Sequence, residues 1–161
     1  MRVTFNGYFY KDEKENIEHA VEVFNYFFNI PSKFSFNLNS IPQKAISNLN
    51  LQHFNKPGPT DVLSFPLFSG INEIKKLNPH NEETLGDMFF CRPILKKNAA
   101  EFHKGLIEEL QLVLIHGLLH LVGYSHLNET KLRKKENEIL DKVWNGLSKD
   151  LSKPYSHNYG W

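Results

Sequence analysis

Apolar positions recur along this chain with two periods, and the changes between them mark its elements. A short apolar stretch over residues 3–5 comes first. Over 15–28, Ile17, Val21, Phe24 and Phe28 fall at helical spacing, which predicts a helix with one apolar face, ended by Pro31. Over 33–38 the pattern changes to alternation, with Phe34, Phe36 and Leu38 on one side, the mark of a half-buried strand. Pro42 suits the first turn of a short helix reaching about Leu49. Beyond the turn-rich Asn55-Lys56-Pro57-Gly58-Pro59, residues 60–65 read as an apolar strand closed by Pro66; a polar loop over 72–83 leads to a further strand over 88–91. Helical patterns follow at about 94–102, 106–121 and 129–147. Residues 1–152 read as a single domain and 153–161 as a tail, in which Tyr155, Tyr159 and Trp161 can dock on the body or on a partner.

Composition narrows the class of protein. A chain of 161 residues suits one domain with one sizeable core, and 40% hydrophobic with 13% aromatic residues excludes a disordered chain. Cys91 is the only cysteine, so neither an internal disulfide framework nor a disulfide-linked partner is expected, and a reducing compartment fits. Nothing resembles a signal peptide, and no apolar run approaches the roughly 18 residues that span a bilayer; the expected location is the cytoplasm, with no membrane partner. A net charge of +1 argues neither for nor against nucleic acid. The run Lys131, Arg133, Lys134 and Lys135 reads as a solvated helix face.

The stretch His116-Gly117-Leu118-Leu119-His120-Leu121-Val122-Gly123-Tyr124-Ser125-His126 carries the chemistry. Residues four apart share a helix face, so His116 and His120 can aim two imidazoles at one point. Gly123 can stop the helix, and the reversed chain can return His126 to that point. Three neutral imidazoles on a zinc ion leave a fourth position for water, as in catalytic zinc sites, and lower the pKa of that water to roughly 7. Any one of these histidines alone would be an ordinary hydrogen-bonded residue; three in register with the glycine form a zincin-like ligand set. Metzincin proteases place a Glu directly after the first histidine as general base. Here that position is Gly117, which cannot move a proton, so peptide hydrolysis by that route is not expected.

Three blocks, taken together, resemble a known family. Pro59-Thr60-Asp61-Val62-Leu63-Ser64-Phe65-Pro66, then Leu85-Gly86-Asp87 with Cys91-Arg92, then the three-histidine stretch are similar to the YbeY family, metal-dependent endoribonucleases of ribosomal RNA maturation. The resemblance covers roughly residues 50–147. It implies an α+β domain with a mixed sheet of about four strands flanked by helices, one Zn2+ on His116, His120 and His126, and cleavage of single-stranded RNA. It also implies work on the 3′ end of small-subunit ribosomal RNA and in ribosome quality control, with the small ribosomal subunit as partner. Two positions depart from the family pattern: Phe54 stands where an arginine is common, and Ser125 where an aspartate precedes the third histidine.

The chemistry of phosphodiester cleavage guides the remaining candidates. Positive charge must meet the transition state, and with Phe54 in the arginine position the first candidate is Arg92, whose planar fork suits phosphate; Lys56, Lys96 and Lys97 come after it. Asp87 would either hydrogen-bond a ligand histidine or shape a turn. Thr60, Asp61 and Ser64 can line the cleft, and His53, Phe54 and Tyr124 can offer faces to bases. Two further readings stand beside the endoribonuclease: a ribosome-assembly factor that keeps the metal but has lost most cleavage, favoured by Phe54 and Ser125, and another metallohydrolase with a small substrate.

Overall fold

Four strands form one mixed sheet in the order β1 (Arg2–Asn6), β2 (Phe34–Ser40), β4 (Glu83–Phe90), β3 (Val62–Pro66). β1, β2 and β4 run parallel and β3 is antiparallel to β4. The structure is a computed structural model that describes residues 1–77 and 79–146; the tail expected over 153–161 and the last position of the helix expected to reach 147 lie outside the described residues. Around the sheet stand α1 (Lys11–Phe28), α2 (Gln43–Phe54), α3 (Ile71–Lys76), α4 (Arg92–Glu101), α5 (Leu106–Leu121) and α6 (Glu129–Asn145). The α+β architecture with a four-stranded mixed sheet is the one expected.

α5 forms the middle of the core. Leu110, Leu112, Val113, Leu114, Ile115, Leu118, Leu119 and Leu121 are all at most 1% exposed, because the helix packs on β3, α1, α4 and α6 at once. Its apolarity is that of a helix buried on every side; no single helix among the described residues is long and apolar enough to cross a membrane. The alternation in β2 sends Phe34, Phe36 and Leu38 into this core. In β4, Met88 and Phe90 join them, while Phe89 takes part in a smaller cluster around Ile46, Leu63 and Cys91 under α2, as the two-residue period of a strand requires.

Where the elements differ from the sequence reading, the causes are local. α1 begins at Lys11, before the apolar pattern does, because the Glu13 carboxylate accepts the Tyr10 backbone N–H at 3.0 Å and closes the first turn. α2 runs on to Phe54, so His53 and Phe54 lie on its last turn and not in a loop. α3 falls inside the expected polar loop; with only Ile74 buried it has no periodicity to read. β4 starts at Glu83, five residues before the expected strand. Its pairing with β2 slips between Ser35 and Asn37, where one extra β4 residue makes a bulge. Gly86 sits there at φ 142°, and a Cβ on it would lie 2.2 Å from the Phe65 carbonyl oxygen. A glycine that reads as punctuation in the sequence is thus the point that lets the strand pass close to β3.

Candidate metal centre

His116 and His120 occupy the last two turns of α5, and His126 opens the 3-10 turn His126–Asn128 that follows. Gly123 makes the reversal between them at φ 101°, and a side chain there would also meet Gly70 Cα at 2.7 Å and Ser69 O at 2.9 Å. The turn is therefore glycine for its backbone and for its packing. The three rings each offer one nitrogen, and these atoms all lie within 4.8 Å of one another. His116 is buried, His120 half-buried and His126 exposed, so the group has a floor inside the protein and an open side.

Each ring is held from behind through Nδ1. His116 Nδ1 donates to Glu136 Oε2 at 2.8 Å, His120 Nδ1 to the Tyr124 carbonyl at 2.8 Å, and His126 Nδ1 to Glu129 Oε1 at 2.7 Å. All three partners only accept, so the proton sits on Nδ1 and each Nε2 keeps a lone pair. The Nε2 atoms of His116 and His120 face each other at 3.0 Å. Two such lone pairs repel unless a cation lies between them. Two imidazoles on one tetrahedral zinc ion, at about 2.0–2.1 Å each, hold their nitrogens about 3.3 Å apart, so the donor set fits an ion of that size. Burial, then the neighbouring His116 and His126, pushes the His120 pKa down to about 4. His120 is accordingly neutral near pH 7, as a ligand must be.

Gly117 has a packing reason as well as a chemical consequence. A Cβ there would come 2.3 Å from Met88 Cε and 2.7 Å from Ser64 Oγ, and Ser64 Oγ donates to the Gly117 carbonyl at 3.3 Å. α5 lies so close to the sheet at this point that a side chain here, the carboxylate of a zinc protease included, would require Met88 and Ser64 to shift.

The histidines stand in an open cleft of about 1200 Å³ that Lys56, Lys97, Tyr124, Phe54, Thr60, Asp61 and Ser64 also line. Lys56 and Tyr124 thus lie where the sequence reading sought them. Other candidates do not. Arg92 is not among the lining residues; its guanidinium is paired with the buried Glu13 carboxylate at 2.6 and 2.9 Å and donates to the Tyr8 carbonyl at 2.9 Å. It begins α4 on the side that meets α1, which corrects its expected role as the cation of the cleft. Asp87 neither shapes a turn nor reaches a histidine: it lies inside β4 and accepts from Asn37 Nδ2 at 2.7 Å. His53 packs edge-on against the Phe65 ring at 5.0 Å and, like Lys96, is absent from the cleft lining.

Glu136 and Glu129, which hold His116 and His126, are site residues that the sequence reading passed over. Glu136 is 1% exposed and directly follows the charged run taken for a solvated face. The available signal was its register: Leu132, Glu136, Ile139, Leu140 and Val143 form the buried stripe of α6, and a carboxylate on an apolar stripe needs a partner.

Asp61 is the buried carboxylate of the cleft wall, 6% exposed. It accepts from the Val62 N–H at 2.7 Å and from Asn98 Nδ2 at 3.3 Å. Burial nevertheless dominates and raises its pKa to about 6, with the nearby Glu109 adding to the rise. A raised carboxyl binds its proton more tightly in the folded state, so between pH 4 and 6 the folded chain holds more protons than the unfolded one. Stability is therefore expected to fall as pH rises through that window, and the full cost, on the order of 3 kcal/mol at most, remains above it. Chemical unfolding of the native chain and Asp61→Asn at pH 4.5 and pH 7 checks this: the variant should lose the difference between the two, and an unchanged difference assigns it to another group.

Residues 7–144 match the family described as Endoribonuclease YbeY. An endoribonuclease YbeY of Buchnera aphidicola is 31% identical over 146 residues, covering 79% of this chain and 85% of that protein. One of Nautilia profundicola is 34% identical over 133 residues, covering 82% and 88%. Among solved structures, the solution structure of a Thermotoga maritima protein superposes with a TM-score of 0.58 at 28% identity, covering 88% of this chain and 89% of that one.

Proposed function

This chain belongs to the YbeY family of endoribonucleases, and from that premise we propose that it cleaves single-stranded RNA with one zinc ion held by His116, His120 and His126. The observation that carries the reading is the arrangement of three histidines, each anchored through Nδ1, whose ring nitrogens converge at the floor of an open cleft. When bound, a zinc ion supplies a Lewis acid for a phosphoryl oxygen and acidifies water near neutral pH. The chain's own contribution is to fix three neutral donors and to leave one side of the group open to substrate.

Lys56 and Lys97 hold the phosphates beside the scissile one, a duty that Arg92 cannot perform while it serves Glu13. The absence of a carboxylate after the first histidine suits this substrate, because a phosphodiester already brings its own anionic oxygens to the cation. We further infer that the RNA is small-subunit ribosomal RNA, cut at its 3′ end during maturation and quality control in the cytoplasm, with the small subunit as partner. The family membership supports that assignment.

Metal analysis of the purified chain, followed by incubation with a single-stranded RNA, the same RNA as a duplex, and small-subunit precursor RNA, tests the reading. About one zinc per chain, cutting of the single strand and trimming of the precursor are expected, with the duplex spared. Zinc without any cutting would replace the enzyme by a metal-binding assembly factor, and hydrolysis of small esters alone would replace it by another metallohydrolase.

A further inference from the structure

Phe54 and Phe102 are 44% and 42% exposed, and both line the metal cleft together with Lys56 and Lys97. A single exposed phenylalanine needs no explanation. Two on the wall of one cleft, each held in place, do. Phe54 ends α2, its ring tilted 40° against Phe65 at 5.7 Å, and Phe65 rests edge-on against Phe89 at 5.7 Å. Behind it Asn55 stops the helix in the left-handed conformation at φ 54°. Phe102 caps α4, with the Lys104 ammonium 5.5 Å from its ring.

The charges in this wall largely offset one another. Lys56 and Lys97 share it with Asp61 and Glu101, so apart from the metal the side chains of the wall add little net charge to the attraction that usually carries nucleic-acid binding. What the wall offers in place of net charge is a pair of fixed aromatic faces.

We infer that Phe54 and Phe102 form a base-stacking wall for unpaired RNA bases, with Lys56 and Lys97 meeting the phosphates beside them. The inference rests on the endoribonuclease reading above and names what that site recognises. Every base has a face to stack, so the wall is tolerant of sequence. A duplex hides those faces, so the wall selects single strands.

The test is fluorescence anisotropy with the full zinc-loaded chain and an uncleavable 2′-O-methyl phosphorothioate strand of about 12 nucleotides, within the span of common single-strand sites. Phe54→Leu and Phe102→Leu keep an apolar side chain, and each is expected to weaken binding about tenfold at every salt concentration. Lys97→Ala should instead flatten the dependence of affinity on salt. A strand of equal length and charge built from abasic units should bind the native chain no better than the normal strand binds the leucine variants. Phe54→Trp should keep native affinity, with its added fluorescence quenched on binding. Leucine variants that bind as the native chain does, or an abasic strand that binds as well as a normal one, overturn the stacking wall. The abasic comparison uses the native protein, so it decides even where a variant fails to fold. If the native chain binds neither strand and cuts no RNA, the endoribonuclease reading falls, a separate result.

Discussion

His120→Ala is expected to take zinc from about one per chain to near zero and to lower RNA cleavage by about a thousandfold, with the domain still folded. The loss follows from geometry: two of three converging nitrogens, His116 and His126, remain, and neither can close the site alone. Metal catalysis is worth several kcal/mol of transition-state stabilisation, and about 4 kcal/mol corresponds to that thousandfold. The fold should survive because the core is assembled by the apolar side chains of α5 against the sheet, α1, α4 and α6, and those contacts do not depend on a metal ion. His120 is the better position for the experiment. His116→Ala would take from the Glu136 carboxylate, 1% exposed, its 2.8 Å hydrogen bond and leave it the more distant Arg133 at 4.0 Å, and weakening the pairing of a buried charge destabilises on its own account. The tyrosine carbonyl that His120 releases lies near the surface and can turn to water. Circular dichroism, zinc by mass spectrometry and a cleavage time course on the same sample decide the matter. A variant that unfolds would make the metal structural, and one that cuts RNA without zinc would remove the metal from the reaction.

The elements that were legible from sequence are those with a long apolar run or a period in their burial. α5 was read at its observed bounds from the length of its apolar stretch, Leu106 to Leu121, and the alternation of Phe34, Phe36 and Leu38 located β2. Gly86 and α3 escaped for opposite reasons. The first broke a pattern that the strand itself continues through a bulge; the second has one buried residue and no pattern to break. The three-histidine group was legible as a group because its members come from one local stretch of eleven residues, which a helix and the turn after it bring together. Arg92 was misjudged for the converse reason. Its partner Glu13 is 79 positions away, and no local rule reveals that a guanidinium is already engaged. Glu136 shows the same limit at shorter range, since His116 lies 20 residues before it on another helix.

That hidden pair gives the second large effect. Glu136 and Glu129 each anchor a histidine of the group through Nδ1, at 2.8 and 2.7 Å, yet their replacement should have unequal consequences. Carboxylates behind metal-bound histidines fix the ring and raise its basicity, and losing one typically costs 10–100-fold in metal affinity. Glu136 and His116 are 1% and 3% exposed on their side chains, whereas Glu129 and His126 are 48% and 44% exposed. Water can take over as acceptor for His126; it cannot reach His116. Glu136→Ala is therefore expected to weaken zinc binding toward the upper end of that range, about 100-fold, and Glu129→Ala by only a few-fold. Glu136→Gln should fall between them, since its amide oxygen still accepts from Nδ1 but brings no charge to raise the basicity of the ring. Competition with a chromophoric zinc chelator measures all three on folded protein. Equal losses at Glu136 and Glu129 would mean that burial does not set the strength of these anchors. No loss at Glu136 would mean that α5 alone orients His116, with the carboxylate present only to satisfy a buried N–H.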